Sequence, residues 1–379
     1  MKSHIEFQLL RSCFAKSVFS IFNSQLSSFH VNVYQSSFIN SLSAPIRIKN
    51  EAFSRFTTRI STNTTDSSIS IQQSVFKNCK SGNNTSGGAV YVNSHVSNVL
   101  VSHTLFFRCS SETSNGGACS INSLSIYITK SCFLQCYSSS RGNAFTSIVL
   151  VPLFQNSASY ISAFQCSPSD VASGFDTISI ISGMQRFDDN NCSQNSGLNN
   201  HVSGPVFDFY MSHATSYSTF YNSTCASLTR FLRNMGATIQ NSNFLSSNVA
   251  NAALEFVFVM GGSVFGCAFF NISAPFYVVN SSITVMKCIG NVHIDGLLDN
   301  DGYKKTSSND LIIPTNNEWL CDEYAIKIPK QLHVSDKELI FTGAALFSIV
   351  ILVLVIILLC SSHKKSTTQD PPLLVEETV

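Results

Sequence analysis

The stretch Asn84-Thr85-Ser86-Gly87-Gly88-Ala89-Val90-Tyr91-Val92 ("NTSGGAVYV") returns as "SNGGACSI" at 114–121 and as "SRGNAFTS" at 140–147. Each copy follows a phrase built on Phe and Cys: "SVFKNC" at 74–79, "LFFRC" at 105–109 and "SCFLQC" at 131–136. Phe with a small hydroxyl residue two positions earlier extends the series in both directions. It runs Phe38, Phe76, Phe106, Phe133, Phe164, Phe220 and Phe244, with Phe265 or Phe269 next and Phe187 inside the one double step. A fixed phrase at intervals of 20 to 40 residues is the mark of a repeat architecture.

The columns of the aligned repeat say what each copy folds into. After the Gly-Gly-Ala phrase or its worn forms stand Ile46, Val90, Cys119, Phe145, Val206, Leu254 and Phe276, all apolar. The next residues include Arg47, Tyr91, Ser120, Thr146 and Glu255, and apolar residues mostly return one place later. Alternation with period two predicts a strand with one buried face. The glycines before it predict a turn. A strand at Phe, a turn, a second strand and then repetition predict a right-handed parallel β-helix of about ten coils, roughly 50 Å long at the spacing of paired strands. The first set of residues should point inward in one column and the second outward. Asn40, Asn78, Asn222 and Asn271, each two residues after a Phe, should form ladders at the corners.

Cys79, Cys109 and Cys136 each lie three residues after a Phe and should stack on successive coils. Two arrangements are open to them: a disulfide between neighbours, or a ladder of buried free thiols. Twelve of the 13 cysteines precede residue 339, more than a reduced cytosolic β protein would carry.

The paired signatures Phe76-Lys77-Asn78-Cys79 and Gly87-Gly88-Ala89-Val90, over roughly residues 12 to 300, resemble those of the polymorphic membrane proteins of chlamydiae and trichomonads. Cys often replaces the Asn of that pattern, and only one copy keeps the full Gly-Gly-Ala-aliphatic phrase. The apolar segment near the C-terminus, in place of a β-barrel, is similar to the trichomonad set. The resemblance implies a β-helical surface protein and a role in adhesion.

That segment, 339–360, is 22 residues without a charge. As a helix it would reach roughly 33 Å, enough to cross a bilayer. Lys364-Lys365 behind it predict a cytoplasmic C-terminus. The opening residues, with Glu6 and Arg11, do not form a signal peptide. Either the body is cytosolic and tail-anchored, or a leader precedes Met1. Seven N-x-[ST] triplets, opened by Asn63, Asn83, Asn84, Asn191, Asn222, Asn271 and Asn280, favour an extracellular body and are its candidate glycosylation sites. The expected order is therefore an all-β solenoid at 1–300, an end cap and stalk at 301–338, a transmembrane helix at 339–360 and a cytoplasmic tail at 361–379. In the tail, Asp370, Leu373 and Leu374 fit the D-x-x-L-L form of a sorting signal.

Charged residues make up 12% of the chain and the net charge is +1, which excludes an electrostatic grip on nucleic acid. No cofactor or metal pattern is present. The one Asp-Asp pair, Asp188-Asp189, reads as a loop, and the carboxylates Asp295, Asp299 and Asp301 fall at the fraying end of the repeat. The histidines, among them His95, His103, His201, His213 and His293, are scattered without ligand spacing and read as surface or corner residues. The sequence thus points to a surface protein with the lipid bilayer and an extracellular protein or glycan as partners. A carbohydrate-active enzyme on the same fold, or a non-adhesive coat, are the alternatives.

Overall fold

The computed structural model describes residues 5–17, 20, 22–24, 29–49, 67–82, 85–166, 175–197, 201–210, 213–291, 303–305 and 321. All of them belong to the compact unit Met1–Tyr324; a second unit, Ala325–Val379, lies outside the described residues. The apolar segment 339–360 and the tail motif at Asp370, Leu373 and Leu374 therefore lie outside them too. Among the described residues no helix is long and apolar enough to cross a membrane.

Every named element is a strand, every strand pairing is parallel, and the chain winds as a right-handed solenoid. One coil shows the path. Ser67–Gln72 runs along one face, Gln73 turns the corner, and Val75–Lys77 crosses a second face. Asn78 turns again, and after the glycine turn the long strand Val90–Ser102 supplies first the third face and then the opening face of the next coil. The face carrying the phenylalanines is a stack of twelve short strands ending at Tyr303–Lys305. The sequence thus anticipates two of the three faces. The opening face is the hidden one, because its strand is often continuous with that of the third face.

The corners are sharp because residues there adopt left-handed backbone angles, two per coil. Gln73, His103, Lys130, Tyr160, Asp189 and Tyr217 form one such column; Asn78, Arg108, Gln135, Gln165, Gln194 and Asn222 form the other. Amide side chains knit the second column. Asn78 Nδ2 donates to Asn40 Oδ1 (2.9 Å), and Gln135 and Gln165 donate to Gln165 and Gln194 (2.9 and 3.0 Å). The glycine turn has two separate needs. Gly87, Gly116 and Gly142 have φ of 71°, 70° and 65°, and a Cβ on Gly117 would lie 2.0 Å from the carbonyl oxygen of Asn143 in the next coil.

The core is a file of stacked rings. Phe14, Phe38, Phe76, Phe106 and Phe133 stack with centroids 4.7 to 5.4 Å apart, and Phe220, Phe244 and Phe269 resume the file at 4.9 and 5.0 Å. Phe269, and not Phe265, continues it; Phe265 pairs with Gln240 on another face. Two expectations need correction. Phe164 is not in the file: Ala163 pairs with Phe133, and Phe164 sits one place over on the outward side. Ala163 and Cys192 fill the interrupted positions, while Phe145 and Phe187 reach the vacated volume from the other faces. Val206 is not in the inward column either. It pairs with Ser179 and Arg230, and Pro205 takes the place beside Ile178. Register shifts on both sides of this strand absorb a residue, and a one-residue slip exchanges the faces. The inward members Ile46, Val90, Cys119 and Phe145 pair in one row, as do Leu254 and Phe276, and Arg47, Tyr91, Ser120 and Thr146 pair in the neighbouring row. Of the residues expected in solvent, Thr146 and Glu255 are instead buried, Glu255 against Arg230.

Replacement of Phe106 by Ala should cost about 3–5 kcal/mol, because it opens a void in the stack. Phe107→Ala, whose ring lies outward beneath Lys77 and Arg108, should cost about 1 kcal/mol or less. Gly117→Ala should lose about 1–3 kcal/mol by overpacking, and Gly82→Ala, with open space around it, should lose almost nothing. Denaturation midpoints of the four variants test the register; equal losses at Phe106 and Phe107 would refute it.

Candidate binding face

The winding that buries one row of each strand presents the alternate row to solvent. On the face that leads into the first corner, one outward row is Tyr127, Ser157, Arg186 and Ala214, on four consecutive coils. Beside it runs Thr129, Ser159, Asp188 and Ser216. The corner itself adds Lys130, Tyr160, Asp189 and Tyr217. Backbone bonds hold these corner residues in file: the amides of Lys130, Tyr160 and Asp189 donate to Ser159, Asp188 and Ser216 at 2.9 to 3.0 Å. Tyr127, Tyr160 and Tyr217 are 41%, 45% and 44% exposed. Tyr127 and Arg186 on one line and Lys130, Tyr160 and Tyr217 on the other thus flank a floor of Thr129, Ser159, Asp188 and Ser216.

Charge on this face is balanced locally. The Asp188 carboxylate is buried, and both Arg186 Nε and Ser216 Oγ donate to it. The bond to Asp188 holds the Arg186 guanidinium above its ordinary value. Burial pushes Asp189 up, with the Asp188 charge adding to the rise; a hydrogen bond to Tyr160 opposes it. The Asp-Asp-Asn-Asn stretch is therefore not a loop. Asp188 ends the strand Met184–Asp188, Asp189 makes the corner, and Asn191 opens the strand Asn191–Ser193. Asn190 is buried between them and bonds the Ile161 amide and the Ala158 carbonyl (2.9 and 3.1 Å). Periodicity offered no sign of this face, because two of its three rings occupy corners that local sequence does not mark.

Other polar groups lie apart from it. Near the first coils, Ser43, Arg47, Thr85, Ser86 and Tyr91 line a small open recess, with the Arg47 guanidinium 5.6 Å from the Tyr91 ring centre. On the glycine-turn face Arg230 Nε lies 2.8 Å from Glu255 Oε2, which also accepts from Ser227 (2.5 Å). Among the described residues no three His, Cys, Asp or Glu side chains converge to hold a metal ion. Asp295, Asp299, Asp301 and His293 lie outside the described residues, so the carboxylate group they belong to is not placed. His103 is at a corner, but His201 and His213 are buried.

Of the candidate glycosylation sites, Asn222, Asn271 and Asn280 stand exposed at left-handed corners. Asn191 is buried in its strand, which closes it to a glycan in the folded protein. Asn63, Asn83 and Asn84 lie outside the described residues. Cys79, Cys109 and Cys136 are free and buried, joined in file by Cys166. Each thiol donates to the carbonyl of the phenylalanine one coil back, at 3.5 to 3.6 Å. Parallel side chains on stacked strands keep their Cβ atoms near the strand spacing of about 4.8 Å, too far for a disulfide, which prefers about 3.5–4.5 Å. Burial raises the Cys109 and Cys136 thiols well above their ordinary value, which keeps them inert. The disulfide that does form joins Cys132, on the outward side of the ring file, to Cys321, across 189 residues of sequence and 5.5 Å between Cα atoms.

No known family pattern and no curated protein matches the chain. Among solved structures, the surface protein and adhesin PfbA of Streptococcus pneumoniae aligns over 80% of this chain and 91% of its own. The identity is 8% and the TM-score 0.29, so the fold rests on the strand pairings and not on that likeness.

Two buried groups give the body opposite responses to pH. His213 packs 3.8 Å from the Phe207 ring, and burial lowers its pKa from 6.5 to about 3. The unfolded chain takes up that proton first, so stability falls as pH drops from 6.5 toward 3. Asp176 accepts from the Gly142 amide (2.5 Å), and burial raises its pKa from 3.8 to about 7. Here the folded chain holds the proton longer, so stability falls as pH rises from 3.8 to 7. Denaturation midpoints near pH 4 and pH 7.5 should show His213→Phe gaining on the parent at the lower pH and Asp176→Asn gaining at the higher. The reverse order would disprove the assignment.

Proposed function

We propose that the chain is a single-pass type I surface protein whose solenoid serves adhesion, ligand binding or display. The observation that carries this reading is the Cys132–Cys321 disulfide, which joins residues 189 apart in sequence, since such bonds form and persist in oxidising compartments. The uncharged segment 339–360 and the lysines behind it supply an anchor and its orientation. Exposed Asn222, Asn271 and Asn280 supply positions where a sugar would disturb no strand. The kinship suggested by the Phe and Gly-Gly-Ala phrases, to the polymorphic membrane proteins of the trichomonad type, belongs to the same proposal. Binding is favoured over catalysis because Asp188 is already engaged by Arg186 and Ser216, and Asp189 by Tyr160.

Digestion of the full chain with an N-glycosidase, after expression in a eukaryotic secretory host, should increase its mobility. Asn222→Gln, Asn271→Gln and Asn280→Gln should reduce the shift, while Asn191→Gln leaves it unchanged. Cys132→Ser should alter migration without reductant. A chain that carries no sugar, with its body open to cytosolic protease, would place the protein inside the cell and end the adhesion reading.

A further inference from the structure

We infer that the face bounded by Tyr127, Tyr160 and Tyr217 is a binding platform for a neutral linear oligosaccharide lying along the solenoid axis. The inference rests on the reading of the chain as a binding protein and supplies its ligand class.

The tyrosines are the first reason. Tyr160 and Tyr217 have φ of 53° and 50°, a region that bulky residues avoid. Elsewhere in that column stand Arg11, Gln35, Gln73, His103, Lys130, Asp189, Asn241, Gly266 and Lys287, and no other phenyl or phenol ring. Neither ring is buried, so folding gains little from them there. Exposed aromatics on left-handed backbone occur elsewhere too, at Phe209 and Phe258; what sets Tyr160 and Tyr217 apart is that they share one column with only Asp189 between them.

Spacing is the second reason. Tyr160 and Tyr217 sit two coils apart, about 10 Å at the strand interval, which is the reach of a disaccharide. A glycan running along the axis meets one set of side chains per coil, as a sugar polymer presents one set of hydroxyls per unit. Its C–H faces can lie on the rings, which are apolar in body and polar at the tip. Its hydroxyls meet the acceptors and donors between the rings: Asp189, the Arg186 guanidinium and the hydroxyl of Ser159.

Charge selects a neutral ligand. Arg186 is matched to Asp188, and Asp189 adds a carboxylate between the two corner tyrosines. Lys130, the other cation of the corner line, stands beyond Tyr160 from Asp189, so an anionic glycan spanning the two tyrosines would meet the Asp189 carboxylate between them.

The test is direct binding of the full-length chain, in detergent, to an array of neutral and acidic monosaccharides, disaccharides and longer linear oligosaccharides. The expected result is binding to neutral members that strengthens from monosaccharide to disaccharide. Tyr217→Ala and Tyr160→Ala should each weaken it about tenfold, with unchanged melting midpoints. Tyr217→Phe, which keeps the ring, should retain binding. Tyr221→Ala, on the phenylalanine face, should change nothing. If Tyr160→Ala perturbs folding, Tyr217→Ala decides. Absence of binding to every neutral oligosaccharide, binding confined to acidic ones, or binding indifferent to Tyr217→Ala would each overturn the inference. The mobility shift described above reads localisation independently. A glycosylated chain that ignores neutral sugars sinks the platform alone, and a sugar-binding chain without glycans sinks only the surface reading.

Discussion

The interval between hydrogen-bonded parallel strands governs this molecule. Each coil must place its inward side chains one strand spacing above the last, so a residue type that stacks well on itself is favoured at the same phase in every turn. Phenylalanine does this on the second face: four successive pairs from Phe14 to Phe133 have interplanar angles of 5° to 11°. The thiols of Cys79, Cys109, Cys136 and Cys166 do it at the neighbouring corner by each bonding to the coil below. The same interval that lines up the thiols keeps them from pairing, and it leaves disulfide chemistry to Cys132, whose partner comes from outside the stack.

Where the file of rings is interrupted, volume is conserved in another way. Ala163 and Cys192 are small, yet Phe145 tilts onto Phe133 at 5.2 Å, and Phe187 lies edge-on to Phe207 at 5.8 Å. From there a second file, Phe207, Phe231 and Phe256, stacks at 5.0 to 5.2 Å on the glycine-turn face. The core therefore shifts sideways within the solenoid without ending. Close packing explains why this costs no void, since any ring that fills the space serves.

The inward half of this architecture is legible in the sequence because stacking imposes it in every coil. Ile46, Val90, Cys119 and Phe145 align by eye, and the strands pair in that order. Val206 misled because a bulge absorbed a residue without a local signal. Phe164 misled because Ser162-Ala163-Phe164 repeats the anchor phrase one place out of phase with its corner, which stands three residues before Ala163 as Lys130 stands three before Phe133. Tyr160, at φ 53°, makes the corner before Ser162-Ala163-Phe164, and a tyrosine gives no hint of a left-handed turn. The binding face was illegible on the same account. Its parts are 90 residues apart in the chain, from Tyr127 to Tyr217, and they become neighbours only once the corner count is known.

Outward positions answer to a different constraint. A side chain there needs only to tolerate its neighbours one coil away, so the corner column holds glutamine, histidine, lysine, tyrosine and aspartate in turn without disturbing the winding. Freedom of that kind makes most of the surface uninformative. It also makes the exceptions meaningful. A polar residue at a left-handed corner is explained by the backbone, and an apolar one inside the coil by the core. An exposed tyrosine at such a corner, repeated two coils away across an aspartate, is explained by neither. The same reasoning separates this face from the buried Arg230–Glu255 pair, whose partners account for each other. What neither the stack nor the corner requires is where contact with another molecule belongs.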